Sequence, residues 1–125
     1  MWPSMIAIFC GAGCGALVRA GLNVLGHGIA FTIPLGTLFA NWLGGYLVGI
    51  ALAFFGNHAT LAPEWRLLII TGFLGGLTTF SSFSAEVLEM LQRGELTWAI
   101  GTAFIHVLGS LALTFLGILT YQALK

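Results

Sequence analysis

The chain has 125 residues, of which 58% are hydrophobic and only 6% are charged. A soluble domain carries about 25% charged residues, so this chain cannot cover its surface with groups that water solvates. The net charge is +0 and the pI is near 6.8, which excludes the basic surface of a nucleic-acid-binding protein. Lipid is therefore the expected solvent, and we expect neither a nucleic-acid partner nor an enzyme, because membrane spans fill the length.

Apolar segments that can each cross a membrane occupy most of the chain. They cover about residues 4–25, 33–55, 66–91 and 96–124. A membrane-spanning helix needs about 20 predominantly apolar residues, and each segment meets that length. The sequence therefore predicts one all-α membrane domain over residues 1–125, with four helices in an up-down-up-down bundle.

The basic residues are divided equally between the two sides of the predicted bundle. Arg66 and Lys125 fall on one side, and Arg19 and Arg93 fall on or near the other. Lys and Arg in short loops normally set the orientation of a membrane protein, and an equal division gives no preference. We therefore predict that the chain inserts in both orientations and that opposite copies form an antiparallel homodimer.

The third segment is unusually rich in residues that form helices poorly. Residues 72–84 contain three glycines, two threonines and three serines. A break in a membrane helix frees backbone groups, which are tolerated only where protein, water or an ion binds them. Unwound carbonyls of broken helices commonly coordinate Na⁺. The alternative is a continuous helix whose hydroxyls bond to the preceding turn. We predict a third helix that is broken near the membrane midplane.

Two phenylalanines follow this weak stretch, since Phe80 and Phe83 are three residues apart and share a helix face. Packing against lipid or core is the common role of such rings. These two alternate with hydroxyl residues, however, and the positive edge of an aromatic ring can stabilise a small anion. The pattern leaves both roles open.

Other polar side chains lie inside the apolar segments and need partners. Asn41 is near the middle of the second segment, one turn after Thr37, whereas His106, Ser110 and Thr114 form a row along the fourth. Such groups commonly hydrogen-bond between facing helices. A row with a spacing of four residues also predicts a polar track along one helix face.

Charged residues inside a membrane segment are functional candidates. Arg19 lies near the end of the first segment, and Glu86 and Glu89 lie towards the end of the third. Glu86 is the deeper carboxylate, and it is either a group at the mouth of a pore or a partner for Arg19.

Three motifs together resemble the Fluc (CrcB) family of bacterial fluoride channels. They are GGLTTFSSF at residues 75–83, GTLFANWLG at residues 36–44 and GAGCGALVR at residues 11–19. The resemblance implies a multi-pass protein of the bacterial inner membrane that exports fluoride passively and gives fluoride resistance. It also implies an antiparallel, dual-topology homodimer with two fluoride pores and a structural Na⁺ at the dimer interface.

Site residues follow from the resemblance by position. It implies that the backbone carbonyls of Gly75 and Thr78 hold Na⁺, and that Arg19 draws anions into a vestibule. The implied pore residues are Asn41, Phe80, Ser81, Phe83, Ser110 and Thr114.

The alternative function is a proton-coupled exporter of the small multidrug type. Such exporters are also small antiparallel dimers, and they need an embedded carboxylate that faces an apolar cation pocket. Glu86 is the candidate for that role in this sequence.

Overall fold

The computed structural model describes residues 1–29 and 32–125, and all regular structure within these ranges is helical. The first two helices are α1 (Trp2–His27) and α2 (Leu35–Asn57), and the last is α6 (Leu96–Leu124). Between α2 and α6 the chain forms α3 (Pro63–Arg66), a π-helical segment (Leu67–Leu74), α4 (Gly75–Leu77) and α5 (Phe80–Gln92).

The described residues contain four helical segments that are long and apolar enough to cross a membrane. They are Trp2–His27, Leu35–Asn57, Pro63–Gln92 and Leu96–Leu124. Pro63–Gln92 includes α3, the π-helical segment, α4 and α5, and is called the third span below. The predicted four-span, all-helical membrane protein is confirmed, with segment bounds close to those expected from hydropathy.

Proline and glycine fix two of the helix boundaries. Pro63 begins α3, where its missing N–H has no intrahelical acceptor to lose. Gly94 lies between α5 and α6 with φ of 77°, a left-handed conformation that glycine adopts without the steric cost of a Cβ. Its N–H donates to the carbonyl of Leu91 at 3.1 Å, which closes the turn.

Glycines bring α1 against the third span. Gly11 and Gly15 of α1 lie so close to this span that an added Cβ would overlap the backbone carbonyls of Leu68 and Phe73. Gly76 lies equally close to the carbonyl of Ala12. The contact is therefore made by backbone against backbone, as expected from glycines spaced four residues apart.

Side-chain hydrogen bonds join α2 to α6 in addition to close backbone contacts. Trp42 Nε1 donates to the carbonyl of Ile105 at 3.1 Å, and the hydroxyl of Tyr46 donates to that of Thr120 at 2.9 Å. Gly109 packs under the Trp42 indole, where an added Cβ would meet the ring. These contacts fix how α2 and α6 face each other.

Candidate functional site

The third span contains two consecutive residues with extended backbone. Thr78 has φ −88° and ψ 156°, and Thr79 has φ −149° and ψ 124°. They separate α4 from α5, which begins at Phe80. The Thr79 hydroxyl accepts a hydrogen bond from the N–H of Ser82 at 3.1 Å and so caps the N-terminus of α5.

Asn41 binds the backbone of the extended segment from α2. Its Nδ2 donates to the carbonyl of Thr79 at 3.0 Å, and its Oδ1 accepts from the N–H of Thr79 at 2.7 Å. A lipid environment offers no hydrogen-bond partner to either backbone group. The side-chain amide of Asn41 therefore supplies what water would supply in a soluble protein.

These hydrogen bonds divert the donors that two backbone carbonyls would have in a continuous α-helix. The carbonyl of Gly75 would accept from the N–H of Thr79, but that N–H is bound to Asn41. The carbonyl of Thr78 would accept from the N–H of Ser82, but that N–H is bound to the Thr79 hydroxyl. Both carbonyls predicted as Na⁺ ligands are thus released from their usual donors, so the residues present fit a carbonyl-bound cation.

His106 completes the group around Asn41. Its Nδ1 lies 3.1 Å from Asn41 Nδ2, and its ring packs on Phe83 with the centroids 4.5 Å apart. Only 4% of the His106 surface is exposed. The spacing of the row on α6 indicated a polar role for His106, but nothing in that spacing pointed to Asn41 as its partner.

An open cleft of about 500 Å³ lies beside the extended segment. It brings together most of the residues that the sequence singled out, and the described residues that line it carry no Lys, Arg, Asp or Glu. The predicted site residues among the lining are Asn41, Gly75, Thr78, Phe80, Phe83 and Ser110, and His106 lines it as well.

The two phenylalanines differ in their surroundings within one chain. Phe80 has 76% of its surface exposed, whereas Phe83 has 8% exposed. The rings meet edge to face, with centroids 5.5 Å apart at 68°. Phe83 therefore belongs to the packed wall of the cleft, whereas most of the Phe80 surface is not covered by the rest of the chain.

Ser81 and Thr114 do not line the cleft. The Ser81 hydroxyl lies 3.2 Å from the Thr79 hydroxyl. The Thr114 hydroxyl has two possible acceptors at 2.9 Å, the carbonyls of Gly45 and Ser110. In this arrangement the hydroxyl hydrogen of Thr114 is directed at backbone.

The comparison with a family model matches residues 6–118 to "CrcB-like protein, Camphor Resistance (CrcB)". The chain belongs to the CrcB family. A relative from Polynucleobacter asymbioticus is 71% identical over 125 residues, which cover 100% of both chains. One from Tolumonas auensis is 58% identical over 126 residues, with 100% of this chain and 98% of the relative covered. One from Pseudomonas aeruginosa is 55% identical over 118 residues, with 94% and 93% covered. Each of these relatives is named "Fluoride-specific ion channel FluC".

The intramembrane charges of this CrcB family member lie outside the cleft lining. Arg19 Nε donates to the carbonyl of Gly76 at 3.1 Å, next to the extended segment. Glu86 Oε2 accepts from the Thr37 hydroxyl at 2.6 Å, whereas its Oε1 is buried without a hydrogen-bond partner among the described residues. Arg19 and Glu86 therefore have separate partners, and the structure does not pair them.

Proposed function

We propose that the protein is a fluoride-selective channel that lets cytoplasmic fluoride leave the bacterial cell passively. The observation that carries this proposal is the full-length similarity to proteins named as fluoride-specific channels, which reaches 71% identity over all 125 residues. The cleft supports it as well, because its lining among the described residues is mostly apolar, carries no charged residue and includes the polar side chains of Asn41, His106 and Ser110. Nothing in the comparisons favours the proton-coupled exporter.

The chemistry of the cleft suits a small, strongly hydrated anion. A pore for such an ion must replace its water shell with dipoles. Ser110 supplies a hydroxyl, and Phe80 and Phe83 supply ring edges, which carry the positive part of the aromatic quadrupole. In this proposal Asn41 contributes to the path by holding the backbone of Thr79 beside the cleft, because its amide is bound to Thr79 and His106. Ser81 and Thr114 lie outside the cleft lining, so in this proposal their hydroxyls serve the path only after they turn from their present partners, and Arg19 attracts anions to the vestibule.

The driving force requires no coupled reaction. Fluoride enters cells as the neutral acid and is trapped as the anion in the more alkaline cytoplasm. An inside-negative membrane potential then favours anion exit by about 2.3 kcal/mol per charge for each 100 mV. The cleft therefore needs only to conduct and to select.

The proposal includes a structural Na⁺ held by the carbonyls of Gly75 and Thr78. Their usual intrahelical donors are bound elsewhere, which supports a cation as the group that satisfies them. A bound cation supplies positive charge to these carbonyls within the membrane. A second copy of the chain, inserted in the opposite orientation, completes the proposed site and covers the exposed ring of Phe80.

Purified protein in liposomes loaded with fluoride tests the function. We expect rapid fluoride efflux in the absence of a proton gradient and no comparable efflux of chloride. Efflux that requires a proton gradient, or uptake of organic cations coupled to protons, would contradict the channel.

The two rings can be tested by variants. Phe80→Ile and Phe83→Ile should each lower fluoride efflux about tenfold, a factor equal to about 1.4 kcal/mol. Phe9→Ile is the matched control, because Phe9 is 80% exposed on α1 and lies outside the cleft. Unchanged efflux in both cleft variants would exclude these rings from the path.

The dimer and its cation have their own tests. Reporter fusions to the C-terminus should detect both orientations in cells, and a single orientation would contradict dual topology.

Exchange of Na⁺ for a bulky organic cation during purification should weaken the dimer, as measured by native mass spectrometry. If the dimer is equally stable with Na⁺ and with the organic cation, the proposal of a structural Na⁺ site is contradicted.

A further inference from the structure

The hydrogen bonds around Asn41 determine which nitrogen of His106 carries the hydrogen. An N–H group donates, so the atom of Asn41 that faces the N–H of Thr79 is the oxygen, and the atom that faces the Thr79 carbonyl is the nitrogen. The amide orientation of Asn41 is therefore fixed by the backbone. The atom that Asn41 turns towards His106 is consequently a donor.

His106 must then accept at Nδ1, which lies 3.1 Å from Asn41 Nδ2. A neutral imidazole with a lone pair at Nδ1 has its hydrogen at Nε2. Nε2 is buried and has no hydrogen-bond partner among the described residues. No N–H or O–H group of these residues is therefore directed at Nε2, and a hydrogen on that nitrogen meets no competing donor. A protonated imidazole would direct an N–H at the amide N–H of Asn41, and the contact excludes that form.

The position of the His106 ring is set by rigid elements. Trp42, the neighbour of Asn41, donates to the carbonyl of Ile105, the neighbour of His106. The Phe83 ring supports the imidazole from α5. Asn41 thus contacts Thr79 with two hydrogen bonds, and the acceptor for its remaining amide hydrogen is held in place by α2, α5 and α6.

We propose that His106 is a positioning residue, which as the neutral Nε2–H tautomer accepts the second amide hydrogen of Asn41 and so keeps Asn41 bound to the backbone of Thr79. Without that acceptor, the remaining N–H of the half-buried Asn41 has no partner among the described residues, which weakens the amide orientation that binds Thr79. The extended segment that precedes Phe80 then loses its support. The transport readout of this inference rests on the proposed channel function, whereas the tautomer itself does not.

Two substitutions separate the acceptor from the ring. His106→Asn places a carbonyl oxygen close to the position of Nδ1 and removes the ring, whereas His106→Phe keeps a ring on Phe83 and removes the acceptor. We expect fluoride efflux through His106→Asn to stay near that of the unchanged protein. Efflux through His106→Phe should fall about tenfold, a factor equal to about 1.4 kcal/mol. His27→Phe, at the exposed end of α1, is the matched control.

The opposite order, with His106→Phe active and His106→Asn inactive, would overturn the inference in favour of ring packing. Equal efflux in the two variants, whether retained or lost, would also overturn it. Size-exclusion profiles establish that each variant is folded before its efflux is compared.

Nuclear magnetic resonance of the unchanged protein labelled with ¹⁵N-histidine tests the tautomer directly. The signals of His106 are identified by their absence from the His106→Asn spectrum. We expect a hydrogen on Nε2 and a lone pair on Nδ1, and a hydrogen on Nδ1 would overturn the inference. If the unchanged protein conducts no fluoride, the proposed function fails, and the tautomer measurement still decides the role of His106.

Discussion

Two helix pairs in this protein have close backbones but differ in what joins them. α1 meets the third span through glycines, and among the described residues of this pair the side-chain hydrogen bond is that of Arg19 to Gly76. α2 meets α6 through glycines and also through the side chains of Trp42, Tyr46 and Thr114.

The two helix pairs therefore have different roles: α1 supports the third span, whereas α2 and α6 carry polar residues of the candidate site. The contact of α1 with the third span is made mainly by backbone, and the side-chain hydrogen bond described between them is that of Arg19 to the carbonyl of Gly76. The α2–α6 pair carries Asn41 and His106 on the side that meets the extended segment. Glycines can therefore build either pair, but both helices of the α2–α6 pair line the cleft, whereas the other pair lines it with residues of the third span and not of α1.

Asn41→Ala should have the largest effect on stability of the substitutions in the α2–α6 pair. It leaves the N–H and the carbonyl of the half-buried Thr79 without partners at a depth where hydrocarbon supplies none, and each unsatisfied group in such surroundings costs about 1–3 kcal/mol. We expect the free energy of unfolding in detergent micelles to fall by about 2–6 kcal/mol, the sum of both groups, with loss of fluoride efflux. Asn57→Ala, at the exposed end of α2, is the control. Equal unfolding free energies for the two variants would show that Asn41 does not support Thr79.

Gly15→Ala perturbs the glycine-built pair. The added methyl group overlaps the carbonyl of Phe73, so α1 must move away from the third span. Overpacking of this kind costs about 1–3 kcal/mol, measured as the free energy of unfolding. The control is Gly13→Ala, which has open space at its Cβ and should gain about 0.5–1 kcal/mol from helix propensity. If both alanines stabilise the protein, the close approach of α1 is wrong.

Trp42→Phe removes one hydrogen bond between α2 and α6, and we expect it to lower stability less than Asn41→Ala or Gly15→Ala does. It retains an aromatic ring over Gly109 and removes the hydrogen bond to the carbonyl of Ile105. One such bond is worth about 0.5–1.5 kcal/mol in the free energy of unfolding. Trp65→Phe, at a tryptophan that is 55% exposed, should change stability less. A larger loss in Trp65→Phe would mean that hydrogen bonds do not distinguish the α2–α6 pair.

The membrane spans were predictable because the hydropathy of each segment depends only on its own residues. Each apolar segment is long enough to be recognised alone, and the structure has helices at Leu35–Asn57 and Leu96–Leu124, close to the predicted bounds. The composition of residues 72–84 likewise indicated a weak helix, and extended torsion angles occur at Thr78 and Thr79 within it. Local composition cannot say, however, which backbone groups are released.

The partners of the polar residues were not predictable from spacing. Asn41 bonds to a backbone 38 positions away and to His106, 65 positions away. Both bonds depend on the depth at which three helices meet, and no periodicity within one helix encodes that depth. The available signal was that an amide in an apolar span needs a partner. The resemblance named Asn41 as a site residue, but it did not predict its hold on Thr79.

The pairing of Asn41 with Thr79 has the form of a β-bridge whose second strand is a side chain. A carboxamide offers a donor and an acceptor side by side, as one edge of an extended strand does. Hydrocarbon tolerates strands only when their edges are paired, and here a single residue of α2 does the pairing for a single residue of the third span. In this chain Asn41 of α2 therefore marks the position of a strand-like residue, Thr79, in the third span.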